Sequence, residues 1–599
     1  MGEALCEPFA LSLSKGSQRF QTPTAVFRIN VIRPPAAQPA RFTNPPSYSV
    51  IADSDCLGVP WLVIMDELQS ALLEFHERSK HRINRYAPGP GRLDWANQPD
   101  PFREFAGVPR IRLPLAADTL ATRFNDVRSG QLPSARAFEL ESIAILFELA
   151  LGLSAWKSHG ANRWALRCNP SSGNLHPTEG YLLCPKLADL SAGVYHYLSR
   201  DHLLEQRAAI DDRSWDDAFS CNGILIGISS IYWREAWKYG MRAWRYCAHD
   251  CGHAIAALSY AAAALGWQTR LLDAAGDDMV AGLLGLDRGE DFAAAEPEVP
   301  DVLLWVGDPD CLPDGQCLLD ALKKATWHGR ANRLSAKRLE WPDIETIHRA
   351  THKPATLELG ASRAEPAAPP AAPALDLSFA QIARQRRSAV SFDGAASLPA
   401  SSFFGMMDCL IARRDTPPWN ALSTPAMVHP LFMLHRVDGL EPGLYAFLRD
   451  PAVLAGIRQA MRSEWLWQKA GPAHLPLYLL LPYDLRDTAK SICCHQDIAA
   501  DSCFALGMLA QFETALQEPW RYRHLMWECG MLGQVLYLEA EAAGMRATGI
   551  GCFFDDEMHA LLGIEGHVWQ SLYHFSMGRP VDDPRLSTLP PYEFQGFQA

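Results

Sequence analysis

A chain of 599 residues that is 48% hydrophobic is too long for one ordinary core and has room for two or more domains. A formal charge of −13 without long Lys/Arg runs excludes nucleic acid or an anionic membrane as the main partner and points to a small molecule or a peptide. Fifteen cysteines without framework spacing, no signal-peptide pattern and no apolar run of bilayer length give the expectation of a reduced, cytoplasmic, soluble protein.

In chain order, residues 1–64 are expected to form a poorly ordered extension, Pro-rich at PPAAQPARFTNPPSY (34–48). Helical spacing starts at Met65, with Leu68, Leu72 and Phe75 following, and Met65 is itself a candidate translation start. A first folded unit is expected over 65–350, an Ala/Pro-rich tether over 351–376, and a second folded unit over 377–599.

The two units are copies of one another. RYCAHDCGHAIAALSYAAAALGWQTRLLDAAGDDMVAGLLGL from Arg245 aligns without a gap to RHLMWECGMLGQVLYLEAEAAGMRATGIGCFFDDEMHALLGI from Arg523. Cys251-Gly252 meets Cys529-Gly530, Gly266 meets Gly544, and Asp277-Asp278 meets Asp555-Asp556, all at one offset of 278 residues. A shorter echo, GVYHYL at 193 and GLYAFL at 443, precedes each copy. Each copy reads as a long buried helix ending near Gly266 or Gly544, then a turn or strand, then a helix opened by Asp-Asp. With apolar stretches such as Val302 to Val306 and Leu477 to Leu481 between helices, the expected class is α+β, with the two copies packed as an intramolecular pseudo-dimer.

Three clusters carry candidate chemistry. RCNPSSGNLHPTEGY (167–181) offers two Ser hydroxyls, an Asn side chain and unhindered Gly amides to a flat polar ligand or a phosphate, although an ordinary surface loop has the same composition. CAHDCGH (247–253) invites a metal, but a two-residue step on a helix turns the direction by about 200°, so Cys247 and Cys251 diverge from His249 and His253, and core packing is the better reading. Cys493, Cys494 and His495 have no metal spacing and read as partly buried structure.

LRCNPSSGNLHPTEGYL, followed by GVYHYL and WKYGMRAWRY, resembles the nitroreductase-like flavoproteins, and in particular the SagB-type dehydrogenases that oxidise azoline rings in peptide natural-product biosynthesis. The second half is similar through RRSAVSFD, EPGLYAFLRDP, the long repeat and GRPVDDPRL, so the resemblance covers nearly everything from Met65 onward. It implies two tandem nitroreductase-like domains, each a central mixed or antiparallel sheet wrapped by helices, with FMN at their interface.

Residue by residue, the resemblance gives one wall of the FMN site to Arg167, Pro170, Ser171, Ser172, Gly173 and Asn174. The other wall falls to Arg386, Arg387 and Ser388, suited to a phosphate, and to Gly549, Ile550 and Gly551, where backbone approaches the isoalloxazine. Val390 stands where the family carries a basic residue, leaving Arg387 or Arg585 to compensate. The first copy has Leu271 and Asp273 in place of the two glycines, and the second offers only ALSTPAMVHP (421–430) in place of the Ser-Ser loop. One composite FMN site with a degenerate twin is therefore expected.

The family's Lys-Tyr pair maps to Lys238 and Tyr239, a base and its partner for proton removal during hydride transfer, or else a surface Lys beside a packed Tyr; which of the two sites Lys238 faces is left open. The implied activity is FMN-dependent oxidation of a thiazoline or oxazoline in a modified peptide, with a ring-forming enzyme as partner. The alternatives are an NAD(P)H-dependent nitro or quinone reductase and a non-catalytic flavin- or peptide-binding scaffold.

Overall fold

A long helix, α1 (Trp61–Ser79), opens the described part of the chain and buries Leu72 and Phe75; it starts four residues before Met65, so the expected boundary at 65 falls inside it. The computed structural model describes residues 61–210, 213–219, 222–357 and 375–592. The expected disorder of 1–60 and the tether character of 358–374 lie outside the described residues.

The first half continues through α2 (Leu140–Ala150), β1 (Leu153–His159), β2 (Asn162–Arg167), β3 (Thr178–Cys184), β4 (Gly193–Leu198), β5 (Leu203–Ala209) and β6 (Gly223–Ser230). Then come α3 (Tyr232–Tyr239), α4 (Ala243–Ala264), β7 (Gln268–Leu271), α5 (Asp277–Leu284) and β8 (Val299–Gly307). The second half carries α6 (Phe379–Gln385), β9 (Val428–Leu434), β10 (Gly443–Phe447), β11 (Leu477–Pro482) and β12 (Phe504–Gln511). It ends with α7 (Arg521–Ala542), β13 (Arg546–Ile550), α8 (Asp555–Leu562), β14 (Trp569–Gly578) and β15 (Ser587–Leu589).

The first sheet runs β5-β4-β3-β6-β8-β7 and the second β11-β10-β9-β12-β14-β13, each with short additional edge strands. All their internal pairings are antiparallel, which resolves the expected mixed or antiparallel sheet in favour of the latter. Half of these strands are buried along their whole length because helices cover both faces, so they read as apolar runs rather than alternating ones.

The repeat offset of 278 residues is reproduced at the element level, from α4 to α7, from the start of β7 to that of β13, and from α5 to α8. Gly285 and Gly563 stop their helices in the left-handed conformation, at φ +70° and +75°. The carboxylates of Asp277 and Asp555 sit at their first turns.

Helices α4 and α7 cross at the centre of the molecule, each wholly or almost wholly buried. Their contact is reciprocal: a Cβ on Gly252 would lie 2.1 Å from the Trp527 carbonyl oxygen, and one on Gly530 would lie 2.1 Å from that of His249. The paired glycines thus let two backbones approach where any side chain would separate them. Asp277 and Asp555 bridge the copies in the same pseudo-symmetric sense, Asp277 with Arg523 of α7 and Asp555 with Arg245 of α4.

The end of the described chain returns to the first half, where β15 pairs antiparallel with β1 and completes a three-stranded sheet with β2. The Tyr592 hydroxyl accepts from the Leu153 amide at 2.8 Å and donates to the Ser199 carbonyl at 3.2 Å.

Cys247, Cys251, His249 and His253 are all buried in α4, and among the described residues no cluster of potential metal ligands occurs. Cys311 is disulfide-bonded, which departs from the fully reduced chain that the cysteine spacing suggested. No described helix is long and apolar enough to cross a membrane.

Candidate functional site

The Ser-Ser loop leaves β2 at Arg167, whose buried guanidinium donates to the carbonyls of Thr178 and Pro101 and so fixes both ends of the turn. Pro170 is buried, and Ser172–Asn174 form a single 3-10 turn. Gly173 and Asn174 take left-handed φ values of +60° and +59°. A Cβ at Gly173 would lie 2.4 Å from the Tyr239 hydroxyl and 3.1 Å from Lys238 Nζ, so the loop and the Lys-Tyr end of α3 are in direct contact. The Ser171 hydroxyl accepts from the His176 amide at 2.8 Å, and Asn174 Nδ2 donates to the Ala165 carbonyl at 2.8 Å.

A buried carboxylate of α4 holds this loop. The Ser172 amide and hydroxyl donate to Asp250 at 3.1 and 3.0 Å. Burial pushes the Asp250 carboxyl up to about 7, opposed by the hydroxyls of Ser171 and Ser172. Glu235 of α3 lies beside it, raised well above the carboxylate range by burial and then by the Asp250 charge. Burial lowers the Lys238 ammonium, with Glu235 opposing that shift, and raises the Tyr239 phenol.

The equivalent acid in the other copy is Glu528, which accepts from the Met427 and Val428 amides in the segment that replaces the Ser-Ser loop. Glu528 also pairs with Arg449, whereas the first copy has Ser199 at that place in the GVYHYL echo.

From the second half, Arg386 follows α6, whose start carries a capping box between Ser378 and Gln381. Its buried guanidinium donates to the Cys168 and Arg167 carbonyls at 3.0 and 2.9 Å, at the foot of the Ser-Ser loop, and stands over the Tyr537 ring. Ser388 bridges in parallel to Ala547 of β13, and its hydroxyl is 2.8 Å from that of Tyr537. The Tyr537 hydroxyl also accepts from the Gly549 amide at 3.0 Å.

Gly549 faces the Tyr573 hydroxyl so closely that a Cβ would lie 1.9 Å from it, and Gly551 stands in the same way against Tyr246 at 2.5 Å. The Gly551 carbonyl accepts from Arg242 at 2.9 Å and from Tyr246 at 3.1 Å. The Tyr246 ring in turn packs edge-on against that of Tyr239, 4.7 Å away. A continuous path therefore links the glycine segment of the second half to the loop of the first. Ile550 points away from it, into the apolar cluster around Leu562 and Trp569.

Arg387 lines a cavity of about 360 Å³ together with Lys157, Arg384, Arg546 and Glu541, while its guanidinium donates to the Ser154 hydroxyl and to the Ser154, Arg384 and Arg386 carbonyls. Of these cations Arg384 also pairs with Asp118 and Glu148, and Arg546 with Asp582, while Val390 is exposed and contributes no charge. Arg585 does not join them: it is largely exposed and closes a local pair with Asp583 at 2.7 Å.

These residues fit a flavin mononucleotide in kind. The basic cavity suits a phosphate, and the Gly549 amide with the Ser388 hydroxyl suits the polar edge of a flat ring. At present the Tyr537 hydroxyl satisfies both of those donors, so a ring at that edge would take over its hydrogen bonds. At the positions that match Gly549 and Gly551 in the first copy, Leu271 is buried and the Asp273 carbonyl accepts from Lys353 Nζ, which also donates to the Ala275 carbonyl.

Sequence reasoning missed Asp250, Glu235, Tyr246, Tyr537, Tyr573 and the cavity cations Lys157, Arg384 and Arg546. Asp250 had a signal, since the aligned position holds another acid, Glu528. The tyrosines had none, because their repeat partners, such as His524 for Tyr246 and Ser259 for Tyr537, differ in kind.

The profile of the nitroreductase family matches two segments, residues 141–295 and 443–579, one in each half. A crystal structure from Anabaena variabilis assigned as a nitroreductase superposes with a TM-score of 0.62 at 21% identity, covering 85% of this chain and 99% of its own. The Escherichia coli microcin synthetase McbBCD complex, with truncated pro-MccB17 bound, covers 42% of this chain and 98% of the matched one at 18% identity and a TM-score of 0.24. A Ralstonia eutropha structure assigned as a nitroreductase covers 37% and 97% at 17% identity and a TM-score of 0.23. No curated protein matches the chain. The first superposition and the two matched segments agree with the fold described above, a mixed helix and sheet architecture with two nitroreductase-like segments.

Proposed function

We propose that the chain is an FMN-dependent oxidoreductase with one composite site, which dehydrogenates a thiazoline or oxazoline ring in a modified peptide. The observation that carries this reading is the meeting of both halves on one loop. Gly173 lies under Tyr239 and Lys238 of the first half, while Arg386 of the second half binds the carbonyls of Arg167 and Cys168. The matched nitroreductase segments support the oxidoreductase class.

A bound flavin supplies a hydride acceptor for the substrate carbon. The chain's own part is to position and deprotonate. Lys238, whose ammonium is disfavoured by burial, takes the proton from the neighbouring ring position, directly or through the Tyr239 hydroxyl. Glu235, held toward the neutral form by burial and the Asp250 charge, does not trap Lys238 in a fixed ion pair. Arg387 and the cations around its cavity hold the phosphate.

A flavin-free scaffold is the second reading, favoured by the closure of the Gly549 and Ser388 donors by Tyr537. Flavin-to-protein stoichiometry of the purified chain separates the two: about one FMN per chain supports the composite site, and no uptake after adding FMN selects the scaffold. With flavin bound, anaerobic bleaching by a model azoline supports the dehydrogenase. Bleaching only by NADPH, with reoxidation by a nitroaromatic, would replace it with a nitro or quinone reductase.

A further inference from the structure

Cys552 directly follows Gly551 at the edge of the candidate site, and its Sγ is 2.9 Å from that of Cys494. Both cysteines are half-buried rather than sealed in the core. The segments that carry them are pinned together independently of the sulfurs: Gln496 Nε2 donates to the Cys493 carbonyl at 2.8 Å and to the Cys552 carbonyl at 3.0 Å, and the Phe554 amide donates to the Ile492 carbonyl at 2.8 Å.

Cys494 and His495 both take left-handed backbone, at φ +53° and +60°, and this kink turns the two neighbouring cysteines different ways. Cys493 faces inward, buried, with its sulfur 3.8 Å from His574 Nδ1, and Cys494 faces Cys552. Other cysteines, such as Cys247, Cys251 and Cys529 of the central helices, are fully enclosed.

We infer that Cys494 and Cys552 form a redox-active dithiol that exchanges with low-molecular-weight disulfides at the rim of the candidate site. The groups around the pair divide its labour. The hydrogen bond between the two sulfurs lowers the Cys552 thiol and burial opposes; the Arg242 guanidinium, bonded to the Gly551 carbonyl next door, further favours its thiolate, and Asp555 opposes. The Cys494 thiol is held protonated by that bond and by burial, with the Tyr86 phenol beside it.

With Arg242 anchored on the adjacent Gly551 carbonyl, Cys552 is assigned as the attacking sulfur. Its thiolate displaces one thiolate from an external disulfide and forms a mixed disulfide. Cys494 then loses its proton, attacks Cys552 Sγ and releases the second external thiolate. The protein dithiol is oxidised by two electrons, and the external disulfide is reduced to two thiols.

The inference does not depend on a bound flavin. The test is peptide mass spectrometry of the full chain, equilibrated with oxidised glutathione and alkylated without reduction. The expected result is a Cys494–Cys552 linked peptide in place of two alkylated ones, reversed by dithiothreitol. In C494S, folded by circular dichroism, the mixed disulfide has no resolving thiol, and a stable glutathione adduct on Cys552 is expected. Recovery of both cysteines as alkylated thiols in the wild type, or linkage of either to a different cysteine, would overturn the inference, as would an unmodified Cys552 in C494S.

Discussion

Gly173 lies so close to Tyr239 that one added methyl group would stand 2.4 Å from the phenolic oxygen. The loop of the first half and the Lys-Tyr end of α3 are therefore fitted to each other at a single position that has no side chain.

Gly173→Ala should disturb that fit twice, through a left-handed φ of +60° and through the contact with the hydroxyl. A cost of about 1–3 kcal/mol is expected, read as a lowered denaturation midpoint together with a loss of turnover. Adding Tyr239→Phe removes the oxygen and should recover part of the stability. No recovery in the double variant would place the strain in the backbone alone.

The arginines should separate by what they hold. Arg386→Ala leaves the carbonyls of Arg167 and Cys168 without their donor and should destabilise the fold by about 2 kcal/mol, as well as lowering flavin content. Arg387→Ala should weaken FMN retention, with a deficit that shrinks at high salt because its charge lines the open cavity, and should cost stability as well through the bonds it makes to Ser154, Arg384 and Arg386. Arg585→Ala should leave flavin content unchanged, since that side chain serves Asp583; equal flavin loss in the Arg387 and Arg585 variants would refute this division.

Asp250 makes a prediction about pH. Its folded value near 7 exceeds the ordinary carboxylate value, so between about pH 4 and pH 7 the native state holds a proton that the unfolded chain has lost. The stability this proton provides is complete below the unfolded value and is lost as pH rises through 7. Its full size is on the order of 4 kcal/mol. Asp301, also raised to about 7 by burial, adds a second such slope. Urea midpoints of Asp250→Asn should fall less steeply across this window than those of the wild type, and identical slopes would show that Asp250 ionises freely.

Tyr239→Phe should lower azoline turnover by at least tenfold while FMN content stays near that of the wild type. Lys238→Met should do the same and should also remove the rise of rate with pH on the acid side of the profile, because a base acts only after losing its own proton and burial has made that easier for the lysine. Steady-state rates with flavin quantified in each preparation check both expectations.

The repeat was fully legible in the chain: an ungapped alignment at 278 residues foretold helices and strands that begin at matching positions. Its legibility has a physical cause in Gly252 and Gly530, which must stay small for the central helices to cross. The Ser-Ser loop, Arg386 and Gly549 were likewise visible, since turn chemistry and close approach restrict residue choice. The tyrosines were not, because Tyr246, Tyr537 and Tyr573 come from α4, α7 and β14, and nothing in local spacing says that three distant rings converge. Arg585 shows the converse: nothing in the motif says that its guanidinium bonds to Asp583, two residues away.

The return of β15 to β1 has a consequence for biosynthesis. A ribosome delivers β1 and β2 long before Ser587, so the small sheet carries an unpaired edge on β1 until nearly all of the second half has been made. During that interval the nascent chain offers an open strand to any neighbour on the same message. Tandem fusion shortens the hazard by placing the matching strand on the same molecule, where its local concentration outcompetes other chains. Synthesis that stalled just before Ser587 would release a product with both large sheets complete and one sticky seam.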